Sequence, residues 1–143
     1  MSRFTDLYGN AFKNYANFEG RACRAEALAF LLTNGIIISI IFWIGFIFVF
    51  GGAMADNGGV AAIGAILFIL AGIIGLVVLV PSWALGARRL HDLNQSGWWQ
   101  VLIYIANFIP VINYVAWIAP IVIFYCLPGT EGDNNYGPVS EKY

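Results

Sequence analysis

Three long stretches of this chain contain no Asp, Glu, Lys or Arg, and they limit its fold more than any other feature. They cover residues 27–55, 57–87 and 93–130. A transmembrane helix needs about 20 predominantly apolar residues, so each stretch is long enough to form one. Only 10% of the residues are charged, whereas an ordinary soluble domain has about 25%. The pattern predicts an all-α integral membrane protein, with a single membrane domain over residues 1–143.

Two of the apolar stretches predict transmembrane helices directly. A short Gly-rich stretch joins them, and its composition indicates a turn. The second helix is expected to continue past Pro81 to about residue 91, because proline is tolerated in membrane helices when neighbouring groups satisfy the freed carbonyl. The predicted transmembrane helices span residues 28–50 and 60–80, and the turn spans residues 51–59.

Small residues recur four apart in both predicted helices. Gly35 and Ser39 show this spacing in the first helix, and Ala71 and Gly75 show it in the second. Small side chains at this spacing let two helix backbones approach closely. We therefore expect the helices to pack against neighbours at these positions.

The third apolar segment, residues 98–127, allows two interpretations. It begins with Trp98 and Trp99, which fit the aromatic belt at the level of the lipid headgroups. A single helix kinked at Pro110 would cross the membrane and place the polar tail, residues 128–143, outside; this is our first expectation. A re-entrant helical hairpin, with arms too short to cross a hydrocarbon core of about 30 Å, would keep the tail on the cytoplasmic side.

An amphipathic helix is predicted ahead of the first apolar stretch, over residues 4–17. Phe4, Leu7, Tyr8 and Ala11 follow the i, i+3, i+4, i+7 spacing of one helix face. Because the rest of the chain is so apolar, we expect this helix to lie in the membrane interface. The alternative is that its apolar face packs on a partner.

Four arginines set the predicted orientation. Arg21 and Arg24 precede the first transmembrane helix, Arg88 and Arg89 follow the second, and the connecting turn has no Lys or Arg. Basic residues favour the cytoplasmic side of a membrane. The sequence therefore predicts that both arginine pairs are cytoplasmic.

Carboxylates accompany these arginines. Glu26 is too close to Arg24 in sequence to pair well with it, so Arg88 or Arg89 is its expected partner. Asp92 lies four residues after Arg88 and is expected to pair with it. His91 would act as a general base only if a carboxylate from another segment reached it.

These residues form the candidate site, which we expect to bind anionic lipid headgroups or to fasten helices together. No nucleophile motif, metalloprotease motif or phosphate-binding loop occurs, and Cys23 and Cys126 lack metal-ligand spacing. We therefore expect no catalytic residue, no metal and no cofactor. The candidate residues are Arg21, Arg24, Glu26, Arg88, Arg89, His91 and Asp92, with Trp98 and Trp99 as interface aromatics.

Four short motifs stand out in the chain: FEGRACRAE at residues 18–26, RRLHDLNQSGWW at 88–99, IP at 109–110 and PGTEGDNNYGP at 128–138. With these motifs the chain resembles domain-of-unknown-function family 805, the YhaH-like small bacterial inner-membrane proteins. The resemblance covers nearly the whole chain in the same order. It implies a location in the bacterial inner membrane, and it implies no activity, since the family has none established.

Composition and motifs together favour a structural or accessory role. The expected partners are membrane lipids, including anionic phospholipid, and a homo-oligomer or a membrane-protein partner is compatible with the sequence. With a net charge of −1, nothing indicates a nucleic-acid partner. The alternatives are a small oligomeric transporter or channel component, and a membrane enzyme that uses His91.

Overall fold

A computed structural model describes residues 3–110 and 112–138 of the chain. Residues 139–143 of the predicted tail lie outside the described residues. The described chain is helical and has no β-strand. Its helices are α1 (Arg3–Lys13), α2 (Arg24–Ala27), α3 (Thr33–Met54), α4 (Gly58–Asp92), α5 (Trp98–Ala106) and α6 (Asn113–Ile121), with π-helical turns at Leu28–Leu32 and Val122–Cys126.

Among the described residues, two continuous helices are long and apolar enough to cross a membrane. One comprises Arg24–Met54 and the other Gly58–Asp92, which continues past Pro81 without a break. Many of their large apolar side chains are exposed, including those of Trp43, Ile47 and Leu76. An extensive exposed apolar surface is unfavourable in water and favourable in lipid. The helices therefore have the length and the surface of membrane spans.

Residues 32–79 form one of two compact units, in which α3 and the first part of α4 pack closely together. The closest approaches are at glycines: a Cβ atom on Gly52 would collide with the backbone of Ala61, and one on Gly64 would collide with the backbone of Val49. Phe42 and Phe68 add an edge-to-face contact with ring centroids 4.9 Å apart. Such close backbone contact requires residues without side chains.

The glycines expected from their spacing are not the ones at this contact. A Cβ atom on Gly35 or Gly75 would meet no other described atom within 4 Å. Small-residue spacing is common in apolar helices by chance, and the sequence alone does not show which face of a helix meets its neighbour. Gly35 and Gly75 are therefore not at this contact, whereas Ala71, the other small residue named in the second helix, is buried.

The second compact unit comprises the described parts of residues 1–31 and 80–143. In it, Phe30 lies between two rings of α1, with centroid distances of 5.3 Å to Tyr8 and 5.1 Å to Phe12. Helix α1 ends at Lys13, four residues earlier than predicted. Asn14 still donates its backbone N–H to the Asn10 carbonyl, which also accepts from the Asn14 side chain, and Tyr15 then donates to Phe12 in a tighter turn.

The third apolar segment is divided into α5 and α6, which contact each other. Both ends of the segment lie beside the last turns of α4. Gly97 packs against Ala87, and the carbonyl of Leu127 accepts a hydrogen bond from Arg89. The segment therefore reverses direction, in place of the single kinked helix that was our first expectation. Pro110, which cannot donate a backbone hydrogen bond, lies between the two helices.

The α3–α4 contact can be tested with two adjacent glycines. In Gly52→Ala the new methyl group meets the Ala61 backbone, which cannot move away as a side chain can. We expect the free energy of unfolding to fall by about 1–3 kcal/mol. In Gly51→Ala the methyl group meets open space, and we expect a change within about 1 kcal/mol. Unfolding by sodium dodecyl sulfate in mixed micelles, followed by circular dichroism, measures both. Equal stability of the two variants would contradict the packing.

Candidate functional site

The Asp92 carboxylate, in the last turn of α4, is the centre of the candidate site. Its Oδ2 atom accepts a hydrogen bond of 2.5 Å from Arg89 Nη1, one turn earlier in the same helix. Its Oδ1 atom lies 2.9 Å from Arg21 Nη2 and accepts from Arg21 Nε at 3.0 Å. Both oxygens of a buried carboxylate are thus held by guanidinium groups from two separate segments.

Arg21 joins three parts of the chain. Besides Asp92, its guanidinium donates to the carbonyls of Gly132 and Thr130, each at 2.7 Å, and to the Thr130 hydroxyl at 3.1 Å. The planar guanidinium group carries five N–H donors in a fixed geometry, which suits several fixed acceptors at once. The segment before α2, the end of α4 and the polar tail are therefore held at one side chain.

Backbone contacts tie the tail to the end of α4 as well. Thr130 donates to the Asp92 carbonyl through its backbone N–H at 2.8 Å and through its hydroxyl at 3.0 Å. The Asn134 side-chain amide donates to the His91 carbonyl at 2.8 Å. A Cβ atom on Gly129 would collide with the Asp92 carboxylate. These contacts satisfy carbonyls in the last turn of α4, which have no partner within the helix.

A second ion pair joins α2 to α4. Arg88 Nη1 donates to Glu26 Oε1 at 3.1 Å, and both side chains are buried. Glu26 therefore pairs with Arg88, one of the two partners expected from the sequence. Arg88 does not pair with Asp92 in the described structure, because Arg21 and Arg89 hold that carboxylate. The Nε and Nη2 atoms of Arg88 are buried without a hydrogen-bond partner among the described residues.

Arg24 differs from the other three arginines. Arg21, Arg88 and Arg89 are 9%, 3% and 0% exposed, whereas Arg24 is exposed at the start of α2. Its one described hydrogen bond is a long one, 3.4 Å, to the carbonyl of Cys126. Of the four arginines singled out in the sequence, Arg24 alone presents an accessible guanidinium group.

His91 is held by two contacts outside its own helix. Its Nδ1 atom lies 3.2 Å from the Gly20 carbonyl, and its ring stacks on Tyr136 with centroids 4.0 Å apart and planes 3° apart. The described contacts of the ring include no carboxylate. Asp92, its neighbour in sequence, is engaged by the two arginines.

A cavity of about 450 Å³ lies beside His91 in the same compact unit. Trp98 lines it, whereas its neighbour Trp99 does not. Gln100 also lines it, and the Oε1 atom of this side chain is buried against Gly86. The lining residues are Phe18, Trp83, Ala87, His91, Ser96, Gly97, Trp98, Gln100 and Val101.

The tail contributes contacts to the site that the sequence analysis did not predict. Thr130, Gly129, Asn134 and Tyr136 all contact the end of α4. The signal was present, because they lie in the tail motif, but its Gly, Asn and Asp residues are equally typical of ordinary turns. In the part of the chain that the structure describes, no three His, Cys, Asp or Glu side chains are grouped to hold a metal ion.

Comparison with known proteins places the chain among bacterial membrane proteins. It is 38% identical to the inner membrane protein YhaH of Escherichia coli K12 over 133 residues, which cover 93% of this chain and 94% of YhaH. It is 35% identical to the inner membrane protein YhaI of the same strain over 130 residues, 91% of each chain. No solved structure gives a significant match. A family model described as protein of unknown function matches residues 15–138, and the chain therefore belongs to this family, DUF805.

Proposed function

We propose that the chain is a structural or accessory protein of the bacterial inner membrane, in which the arginine–carboxylate cluster fastens the helices and the tail together. The observation that supports this best is the Asp92 carboxylate, buried between Arg21 and Arg89. An ion pair removed from water is costly unless both charges and their remaining hydrogen-bonding groups are satisfied. Here backbone carbonyls accept hydrogen bonds from both Nη groups of Arg21 and from Nη2 of Arg89, whereas Nε of Arg89 has no partner among the described residues.

The same geometry argues against these buried arginines as a site for lipid phosphate. A phosphate group would need guanidinium N–H groups that are accessible and free to form charge-assisted hydrogen bonds. Those of Arg21 are directed to Asp92, Thr130 and Gly132, and Arg89 is directed to Asp92 and Leu127. The expected contact with anionic lipid is therefore proposed only for the exposed Arg24.

We propose that α3 and α4 cross the membrane and that the third segment re-enters it from the cytoplasmic side. α5 has nine residues, and α6 with its π-helical continuation to Cys126 has 14, which gives about 14 Å and about 21 Å. The hydrocarbon core is about 30 Å thick, so neither helix is long enough to cross it. The bonds between the tail and the end of α4 then keep the tail on the same side as the four arginines, which the charge rule makes cytoplasmic.

We also propose that the chain is not an enzyme. His91 is the side chain best suited to proton transfer at neutral pH. Its Nδ1 atom contacts a backbone carbonyl, and one face of its ring stacks on Tyr136. A general base of this kind is usually oriented by an acidic partner, as in catalytic triads. The contacts described for His91 supply no such partner.

Loss of the central carboxylate tests the fastening role. In Asp92→Asn, Arg21 and Arg89 remain buried without a counter-charge, and we expect the free energy of unfolding to fall by about 3–5 kcal/mol. The matched control is Asp133→Asn, an exposed acid in the tail, for which we expect a change within about 0.5 kcal/mol. Detergent unfolding followed by circular dichroism measures both. If Asp92→Asn is as stable as the control, the cluster does not fasten the helices.

Thiol labelling tests the topology. Glu131→Cys in the tail and Met54→Cys near the end of α3 are installed separately in a chain whose Cys23 and Cys126 are serine. We expect an impermeant maleimide to label Met54→Cys in intact cells and to label Glu131→Cys only after the cells are opened. Labelling of Glu131→Cys from outside would show that the third segment crosses the membrane.

Lipid retention tests the contact proposed for Arg24. We expect the purified Arg24→Gln variant to retain less phosphatidylglycerol than the unmodified chain, since a cation near an anionic leaflet contributes about 1 kcal/mol. Lys13→Gln, which removes an exposed charge from α1, is the matched comparison. Mass spectrometry of the extracted lipid gives the amounts. Equal phosphatidylglycerol in the Arg24→Gln and unmodified proteins would rule out the contact.

A further inference from the structure

We propose that the cavity beside His91 binds the headgroup of an ethanolamine phospholipid, with the primary ammonium among the rings of Phe18, Trp83 and Trp98. The cavity volume of about 450 Å³ lies in the range typical of small-ligand sites. This site is separate from the ion pairs of the fastening cluster, and no step of the proposed structural role uses it.

The aromatic residues of the cavity combine a fixed ring with exposed ones. Trp83 stacks on Tyr104 with ring centroids 5.1 Å apart and planes 10° apart, which holds its indole in place. Trp98 is 75% exposed and Phe18 is 46% exposed, so part of the lining is open to the surroundings. A cation is attracted to the electron-rich face of such rings, most strongly to tryptophan. Rings from three separate segments therefore surround a space suited to an ammonium group.

The charges around the cavity favour a cation over an anion. None of its nine lining residues carries a formal charge at neutral pH. Arg88 and Arg89, which follow the lining residue Ala87, are buried in ion pairs with Glu26 and Asp92. An anionic headgroup would find no charged side chain in the lining, whereas an ammonium group finds aromatic faces.

His91 supplies a hydrogen-bond acceptor. Its Nδ1 atom lies 3.2 Å from the Gly20 carbonyl, which accepts hydrogen bonds and cannot donate them. In the neutral imidazole the proton is therefore on Nδ1, and Nε2 carries a lone pair. Gly97, another lining residue, lies beside this Nε2 atom, and the stack on Tyr136 fixes the plane of the ring. An ammonium N–H can donate to Nε2, and the hydroxyl group of Ser96 is a second acceptor in the lining.

These acceptors select among cationic headgroups. A primary ammonium has three N–H donors, whereas the quaternary ammonium of choline has none and would interact only with the aromatic faces. The neighbouring pair Trp98 and Trp99 is typical of the headgroup level of a membrane. The occupant is therefore the ethanolamine headgroup of a membrane phospholipid.

Two adjacent tryptophans provide the test. The full chain, in detergent, is mixed with equal amounts of phosphatidylethanolamine and phosphatidylcholine that carry the same acyl chains, and retained lipid is counted by native mass spectrometry. We expect retention of phosphatidylethanolamine to exceed that of phosphatidylcholine by about threefold or more. In Trp98→Ala we expect phosphatidylethanolamine binding to weaken by about two- to thirtyfold, the range for one cation–aromatic contact. In Trp99→Ala, whose side chain lies outside the lining, we expect no change.

His91→Phe separates the acceptor from the aromatic rings. Phenylalanine keeps an aromatic ring opposite Tyr136 but has no lone pair, so we expect the preference over phosphatidylcholine to disappear while phosphatidylcholine binding stays the same. Circular dichroism checks that each variant is folded. Equal retention of the two lipids by the unmodified chain, or phosphatidylethanolamine binding that is unchanged in Trp98→Ala, would overturn the proposal. None of these results would alter the stability expected for Asp92→Asn, so the two proposals fail independently.

Discussion

The two ion pairs of the Asp92 carboxylate are the interaction on which the second compact unit depends. Each of its oxygens faces a different guanidinium group, from Arg21 and from Arg89. Two like charges held this close together would repel each other strongly without the anion between them. Through these arginines the carboxylate organises the end of α4, the segment that precedes α2, and the tail.

Polar contacts of this kind suit a chain that is apolar almost everywhere else. In lipid, helices gain little from burying apolar side chains, so close backbone packing and buried polar groups specify which surfaces meet. In this protein, close backbone packing occurs in one compact unit and buried polar contacts occur in the other. Glycines Gly52 and Gly64 allow α3 and α4 to approach closely, whereas the second unit is joined by arginines, carboxylates and carbonyls. The cavity with Trp83 and Trp98 lies in this second unit, beside the residues that the cluster holds in place.

The sequence predicted the parts of this structure that follow from local composition. The two long apolar helices are visible as uncharged stretches, and the motif at residues 88–99 identified the end of α4 as important. Burial and pairing were harder to predict, because they depend on which segments meet. Arg88 was expected to pair with Asp92 four residues later, but Arg21 comes from 71 positions away to bind the same carboxylate. Helix spacing could not reveal that competition, nor could it show that Gly35 faces open space.

The hydrogen bond between Arg21 and Thr130 can form only late in synthesis, because the two residues are far apart in the chain. Thr130 is 109 residues after Arg21, so at about 5–20 residues per second a ribosome takes roughly 5–20 s to deliver this partner. During that interval the guanidinium group of Arg21 lacks its tail acceptors, and in the orientation proposed above it would be available as a cytoplasmic charge while the chain inserts. The tail then arrives after both long helices and occupies the N–H groups. On this proposal, Arg21 would first help to orient the chain during insertion and would later hold the tail in the finished protein.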